Sequence, residues 1–457
     1  MAGETAAELE GFGYLEAEFG DDGRPISTPG APDIARSHGA TAPTDVIVMV
    51  HGWNNTHLSA RALYQDLARS LRAVYGGQHA DALRGRTLTL LGVLWPSCQW
   101  DWFERMAGTI GALDAAPATE LQIRLDALRG LFPAREDRER LERARTLVPD
   151  VERSQDARLS FVRLVVGLLN RGAEDAEDAS DQLFSLPPRT LVERFSPPPA
   201  LAGDSPRPAL AGDSPRPALA GDSPRPALAG DAALAGELEW NPLGGLLDGL
   251  RNLVDFAAYY RMKERAGTVG RNGLAPFLRT GIPQGARIHL VGHSFGARLV
   301  TAAAATGGLG HRCSVSLLQG AFSHHGFAHG YLPGHDGFFR KVVTSGVLSG
   351  PMVITHTRND KLVSLAYALA SRLAGQDGAN VAAEIGGADS LYGAIGANGA
   401  QVTPEAVQGL LLPVGQPYAL TAGRPHNLKA DAFVSGHCDV TGPEVAHAIL
   451  SAVAATP

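Results

Sequence analysis

The stretch Val291-Gly-His-Ser-Phe-Gly-Ala-Arg298 sets Ser294 between two glycines directly after the apolar run Ile288 to Val291. A serine so placed is a candidate nucleophile. Gly292 and Gly296 remove Cβ atoms where a sharp strand-to-helix turn crowds its neighbours, and such a turn lifts the hydroxyl clear of the sheet. A helix starting near Phe295 adds the positive end of its dipole. The chain contains 54 glycines, so Gly-x-Ser-x-Gly arises by chance about 0.3 times and settles nothing alone. A serine hydroxyl also needs a base to take its proton, an acid to orient that base, and donors for the oxyanion. A second signal is His51-Gly52-Trp53-Asn54-Asn55, which follows the apolar run Val46 to Val50. Parallel sheets collect ligands at the C-terminal ends of their strands, so this loop is expected to face Ser294.

Five short, nearly unbroken apolar runs must position these loops: 46–50 (VIVMV), 87–95 (TLTLLGVLW), 288–291 (IHLV), 314–318 (SVSLL) and 352–355 (MVIT). Continuous rather than alternating hydrophobicity fits parallel strands covered on both faces. Between them, 58–75, 298–305 and 362–374 repeat apolar residues at helical spacing. Strand alternating with helix predicts an α/β fold, a doubly wound and mostly parallel sheet with right-handed crossovers.

About 190 residues separate the strands near 95 and 288, where one crossover helix needs a few dozen. The expected organisation is therefore a core of 1–96 and 246–457 with a helical insertion, a possible cap or lid, over 97–198. The amphipathic patterns 120–128, 136–148 and 154–169 fall within that insertion, and 246–265 supplies the delayed crossover helix. Residues 199–235 carry the nine-residue repeat PALAGDSPR. With proline and glycine in every unit and a single leucine, it cannot build a core and reads as a flexible linker.

The succession HGWNN, GVLWPS, GHSFG, Asp360 and the C-terminal Ser-Gly-His, in that order, resembles the α/β-hydrolase superfamily, in company with bacterial lipases and esterases. The resemblance covers roughly residues 10–95 and 246–457. It implies that the backbone N–H groups of Trp53 and Phe295 form the oxyanion hole, each contributing about 3 kcal/mol to transition-state stabilisation. It also implies the order nucleophile, acid, base. Asp360 stands just beyond the 352–355 strand, in the position of the acid, although an aspartate there also suits the cap of the helix that follows; Asp389 is the substitute. His437 lies between a run expected to close the sheet, 431–434 (DAFV), and a terminal helix from Pro443, which is the arrangement of the family's base. His426 is second choice, while His447, His289 and His293 read as packing residues.

The function expected from this set is a serine hydrolase cleaving a carboxylic ester, thioester or amide through an acyl-enzyme. Around the triad, His51, Gly52, Asn54, Trp95, Phe322 and His324 are the expected substrate-side residues, although His51 reads first as structural because the motif uses the backbone beyond it; Trp53 and Phe327 add apolar surface for an acyl or aromatic group. No cofactor is expected. The histidine-rich loop His324, His325, His329, His335 and Asp336 reads as loop structure or substrate contact before metal ligation. A net charge of -7 without a basic stripe argues against nucleic acid. An acidic N-terminal stretch and no apolar run of about 18 residues argue against a signal peptide or membrane span, so a cytoplasmic location is expected. Cys98, Cys313 and Cys438 are too few and too scattered for a disulfide framework or a zinc site. The competing expectation is a non-catalytic binding or scaffold protein on a hydrolase fold.

Overall fold

The computed structural model of the protein describes residues 7–37, 42–77, 79–97, 117–169, 186–195, 246–309, 312–363 and 387–457. The nine-residue repeat, Cys98 and most of the helical pattern 362–374 lie outside them. Ten strands form one mixed, mostly parallel sheet with helices on both sides. They are β1 Ala7–Leu9, β2 Phe12–Phe19, β3 Pro25–Ser27, β4 Asp45–Val50, β5 Leu88–Leu94, β6 Arg287–His293, β7 Cys313–Leu318, β8 Met352–His356, β9 Val407–Leu410 and β10 Pro425–Lys429. The order is β1-β2-β5-β4-β6-β7-β8-β10-β9, with β3 paired to β2. Only the β1–β2 and β2–β3 pairs are antiparallel.

The five apolar runs are the five central strands. Every residue of β4, β5 and β7 is buried, as two covered faces require. One face packs against the helices His57–Tyr75 and Pro443–Ala454 through Tyr64, Leu67, Leu71, Ile449 and Val453. The helix Phe295–Ala305 packs against a π-helical turn, Gly270–Leu274, that extends the long helix Leu246–Val269. Glycine permits that contact, since a Cβ on Gly270 would lie 2.3 Å from the Leu299 carbonyl oxygen.

Chain order and sheet order cross between β4 and β6. The chain runs from β4 outward to β5, then returns past β4 to β6 and continues through β7 and β8. Loops leaving β4 and β6 therefore diverge to opposite sides, and the crevice between them is where an open α/β sheet takes a ligand. His51 to Asn55 leaves β4, and Ser294 leaves β6.

The described residues of the segments Asp114–Leu168 and Leu186–Phe256 form a compact unit of their own. Its described residues are helical: Pro117–Leu128, Arg135–Leu147, Gln155–Val166, Pro188–Phe195 and the first part of Leu246–Val269. Leu121, Leu125, Leu141, Phe161 and Val165 form its apolar interior. Arg124, almost fully buried, is held between Glu120 and Asp255. The remaining described residues form the sheet-bearing unit.

One expectation needs correction. The last strand is β10, Pro425–Lys429, and residues 431–433 are a turn rather than the strand read from DAFV. Asp431 is drawn out of strand geometry because its carboxylate accepts hydrogen bonds from the loop after β8, from Thr357 Oγ1 at 3.0 Å and the Arg358 N–H at 3.2 Å.

Candidate active site

Ser294 occupies the turn between β6 and its helix with φ 56° and ψ -122°. A side chain other than glycine rarely adopts that backbone, at a cost of about 1–3 kcal/mol. Neighbours on both sides hold it there: the Ser294 N–H donates to the Leu318 carbonyl at 3.0 Å, and its own carbonyl accepts from Ala297 and Ala321. The flanking glycines are sterically required. A Cβ on Gly292 would meet the Gly296 carbonyl oxygen at 2.4 Å, and one on Gly296 would meet the Val50 and His51 carbonyl oxygens at 2.3 and 2.5 Å. All of these obstacles are backbone, which cannot swing aside. Gly296→Ala is therefore expected to lower unfolding stability by about 3 kcal/mol in urea titration; a variant within about 0.5 kcal/mol of the parent would show that the turn is not so tightly packed.

His437 Nε2 accepts from Ser294 Oγ at 2.8 Å, and its Nδ1–H donates to Asp360 Oδ2 at 2.7 Å. Asp360 is fully buried. Its other oxygen accepts the Val363 N–H at 3.1 Å. The aspartate thus fills both roles open to it, capping the helix after β8 and holding the imidazole. Two loops are stitched together to align these groups. Asn359 Nδ2 donates to the Asp431 and Val434 carbonyls, while Thr357 and Arg358 bind the Asp431 carboxylate. Asp439 then closes the turn that carries His437 by accepting from the Ser435 N–H and Oγ.

Across the crevice, Gly52 packs directly on the serine: a Cβ there would lie 2.7 Å from Ser294 Cβ. That contact sets Trp53 beside the Ser294 turn, its ring 6.0 Å from that of Phe295. The Phe295 N–H opens the helix, where no carbonyl of the same helix can accept it. Asn54 has φ 60°, a conformation asparagine tolerates well, and its N–H donates to Ser97. His51 anchors this loop from beneath. Its Nδ1–H donates to the Gly52 carbonyl at 2.9 Å, its N–H donates to Tyr64 Oη, and its carbonyl accepts from Trp95 Nε1.

The other expected substrate-side residues divide. Trp53 and Asn54 are partly exposed, whereas Gly52 is buried against Ser294 and His51, Trp95, Phe322 and His324, 0–1% exposed, belong to the packing. Phe322 meets Phe327 and Phe339 edge to face. The His324 ring is held between the Ser390 carbonyl and Asn398. The second-choice residues lie elsewhere: Asp389 is exposed in a loop, His426 is on β10 bonded to Thr421, and His289 is paired with Asp45. His447 contacts His79 at 2.8 Å. His329 pairs with Asp336, and among the described residues no group of three or more His, Cys, Asp or Glu side chains is arranged to hold a metal. No helix among them is long and apolar enough to cross a membrane.

Two features of the site escaped sequence reasoning. Tyr259, on the long helix, lies 5.0 Å from the Phe295 ring and 6.4 Å from that of Trp53, so an aromatic group touches the side chains of both expected oxyanion-hole residues. Its helical pattern signalled an apolar face without revealing what that face meets. His293 donates from Nε2 to the backbone carbonyl of His437 at 2.9 Å.

Burial keeps several of these histidines neutral, holding His51 at about 4 and His293 and His324 at about 3. Each sits below its unfolded value of about 6.5, so the unfolded chain takes up protons first. Stability is complete above that value and is lost as pH falls from it toward the folded values. At pH 5 the loss is about 2 kcal/mol for each of the three. Urea unfolding is expected to show a steep fall in stability from pH 7 to pH 5; a flat profile over that interval would contradict neutral burial.

Comparison of the chain with protein-family models, with curated proteins and with solved structures finds no match.

Proposed function

We propose that this protein is a serine hydrolase of the α/β-hydrolase type, cleaving carboxylic esters through an acyl-enzyme. The observation that carries the reading is the unbroken hydrogen-bonded chain Asp360–His437–Ser294, with the serine held at a positive φ. It is the arrangement by which a weak hydroxyl nucleophile is activated, and it is recognised by geometry and roles.

In this mechanism His437 Nε2 takes the Ser294 proton as Oγ attacks the ester carbonyl. Negative charge develops on the carbonyl oxygen, which accepts hydrogen bonds from the Trp53 and Phe295 N–H groups. Such donors act on the transition state because they point to where the charge will be. Collapse of the tetrahedral intermediate expels the alcohol, which takes its proton from His437. Water then repeats the sequence on the acyl-enzyme and frees Ser294. Asp360 keeps His437 in the tautomer with its proton on Nδ1 and stabilises the imidazolium as it forms.

Trp53, Tyr259 and Phe295 favour a substrate with an apolar acyl or aromatic group. The helical unit lies in the chain between β5 and β6. A series of p-nitrophenyl esters from acetate to decanoate tests the activity, with saturable turnover expected to rise with acyl length. The one observation that favours a binding protein instead is that Ser294 is only 4% exposed. Absence of turnover across the whole series in folded protein would overturn the enzymatic reading in favour of that one.

A further inference from the structure

We infer that His293 is a positioning residue that locks the backbone of His437 to the turn carrying Ser294, and so sets the serine-to-imidazole distance. The inference rests on the hydrolase reading above.

The imidazole of His437 is held at its ends by Asp360 and Ser294. Those bonds fix the ring only as well as its backbone is placed. His437 lies in a loop after β10, with residues 434–435 and 440–442 outside regular secondary structure. The bonds of Asn359, Thr357 and Asp439 hold this loop at residues 431–435, and His293 adds a restraint on the His437 backbone itself. It is the last residue of β6 and covalently adjacent to Ser294, and its Nε2–H donates to the His437 carbonyl at 2.9 Å. The two rings lie 4.9 Å apart. A closed circuit results: Ser294 backbone, His293 ring, His437 carbonyl, His437 ring, Ser294 hydroxyl. Any drift of the His437 loop from the elbow must break a bond in it.

The cost of placing a histidine there argues that the bond matters. Nδ1 of His293 is buried and has no hydrogen-bond partner among the described residues. It faces Gly52, on which a Cβ would lie 3.2 Å from it. An apolar side chain would fill this place without leaving a buried acceptor unpaired. Only the Nε2 bond distinguishes histidine from such a residue. Burial also keeps the ring neutral, so the restraint is a hydrogen bond with no added charge beside His437.

Two variants test this. His293→Leu keeps the bulk and removes the donor, whereas the side-chain amide of His293→Gln reaches nearly as far as Nε2. Both are assayed on p-nitrophenyl esters, with active sites counted by fluorophosphonate incorporation and folding followed by thermal melting. For His293→Leu the expected result is a kcat per active site lowered by about 10- to 100-fold, as sub-ångström to ångström misplacement of a catalytic group produces, with KM changed less than about twofold. His293→Gln is expected to recover most of that loss, and the pH at which the acid limb of kcat falls should not move. A purely structural role would instead lower the melting temperature and the number of active sites while leaving kcat per site intact. That outcome, or a glutamine variant as slow as the leucine one despite a wild-type melt, would overturn the inference. If the unsubstituted protein neither labels nor turns over ester, the hydrolase reading itself has failed. In that case a crystal structure of His293→Leu still tests the restraint, and an unchanged His437 backbone would refute it.

Discussion

Ser294→Ala is expected to lower kcat for ester hydrolysis by about 10⁶-fold while leaving the protein folded. The magnitude follows from the role: without Oγ no acyl-enzyme forms, and what remains is the residual effect of the oxyanion hole and substrate binding on attack by water. The fold tolerates the change because the hydroxyl makes its bond to His437 and the turn is held by the Ser294 backbone. Alanine inherits the unfavourable backbone of a residue at φ 56°. Glycine does not, and Ser294→Gly, equally inactive, is expected to be more stable than the parent by about 1 kcal/mol. Thermal melts and initial rates on the same preparations check both statements. A glycine variant less stable than the alanine variant would show that the elbow is not strained, and an active alanine variant would remove Ser294 from the chemistry.

Asp360→Asn is expected to reduce kcat by about 10⁴-fold with little effect on stability. An amide at this position presents an N–H to Nδ1 of His437 and favours the tautomer with its proton on Nε2, the nitrogen that must accept from Ser294. Stability is preserved because asparagine caps a helix as well as aspartate does, and the side-chain oxygen can still accept the Val363 N–H. The two roles of the aspartate are therefore separable. Asp360→Ala removes both and is expected to lose the same activity together with about 1 kcal/mol of stability. Equal losses of stability in the asparagine and alanine variants would indicate that the cap and the imidazole bond cannot be parted in this way.

The central strands were readable in the sequence because burial on both faces imposes an unbroken apolar run, and β4 to β8 each carry one. The glycines at 292 and 296 were equally legible, since each stands where a Cβ would strike backbone, whereas the close approach of Gly52 to Ser294 was not. The edges of the sheet were not. In β9, Gln408, Gly409 and Leu410 are exposed, and β10 reads Pro-His-Asn-Leu-Lys; its strand conformation comes from pairing with β8 and β9 rather than from its own residue pattern. DAFV misled for the opposite reason: its composition suits a strand, but Asp431 is engaged by the loop after β8. Trp95 and Phe322 drew attention as large apolar residues near strand ends, yet size cannot distinguish the wall of a crevice from the packing beneath it. The bond from His293 to His437 connects residues far apart in the chain, and nothing in local spacing announces it.

The central claim is that Ser294 is a nucleophile activated by His437. Incubation with a fluorophosphonate, followed by proteolysis and mass spectrometry, tests it most directly, because the phosphonyl group is retained only by an activated hydroxyl. A single modification per chain is expected, on the peptide containing Ser294, absent in Ser294→Ala and slowed by orders of magnitude in His437→Ala. Folded protein that stays unmodified, or is modified on another residue with Ser294 intact, would contradict it.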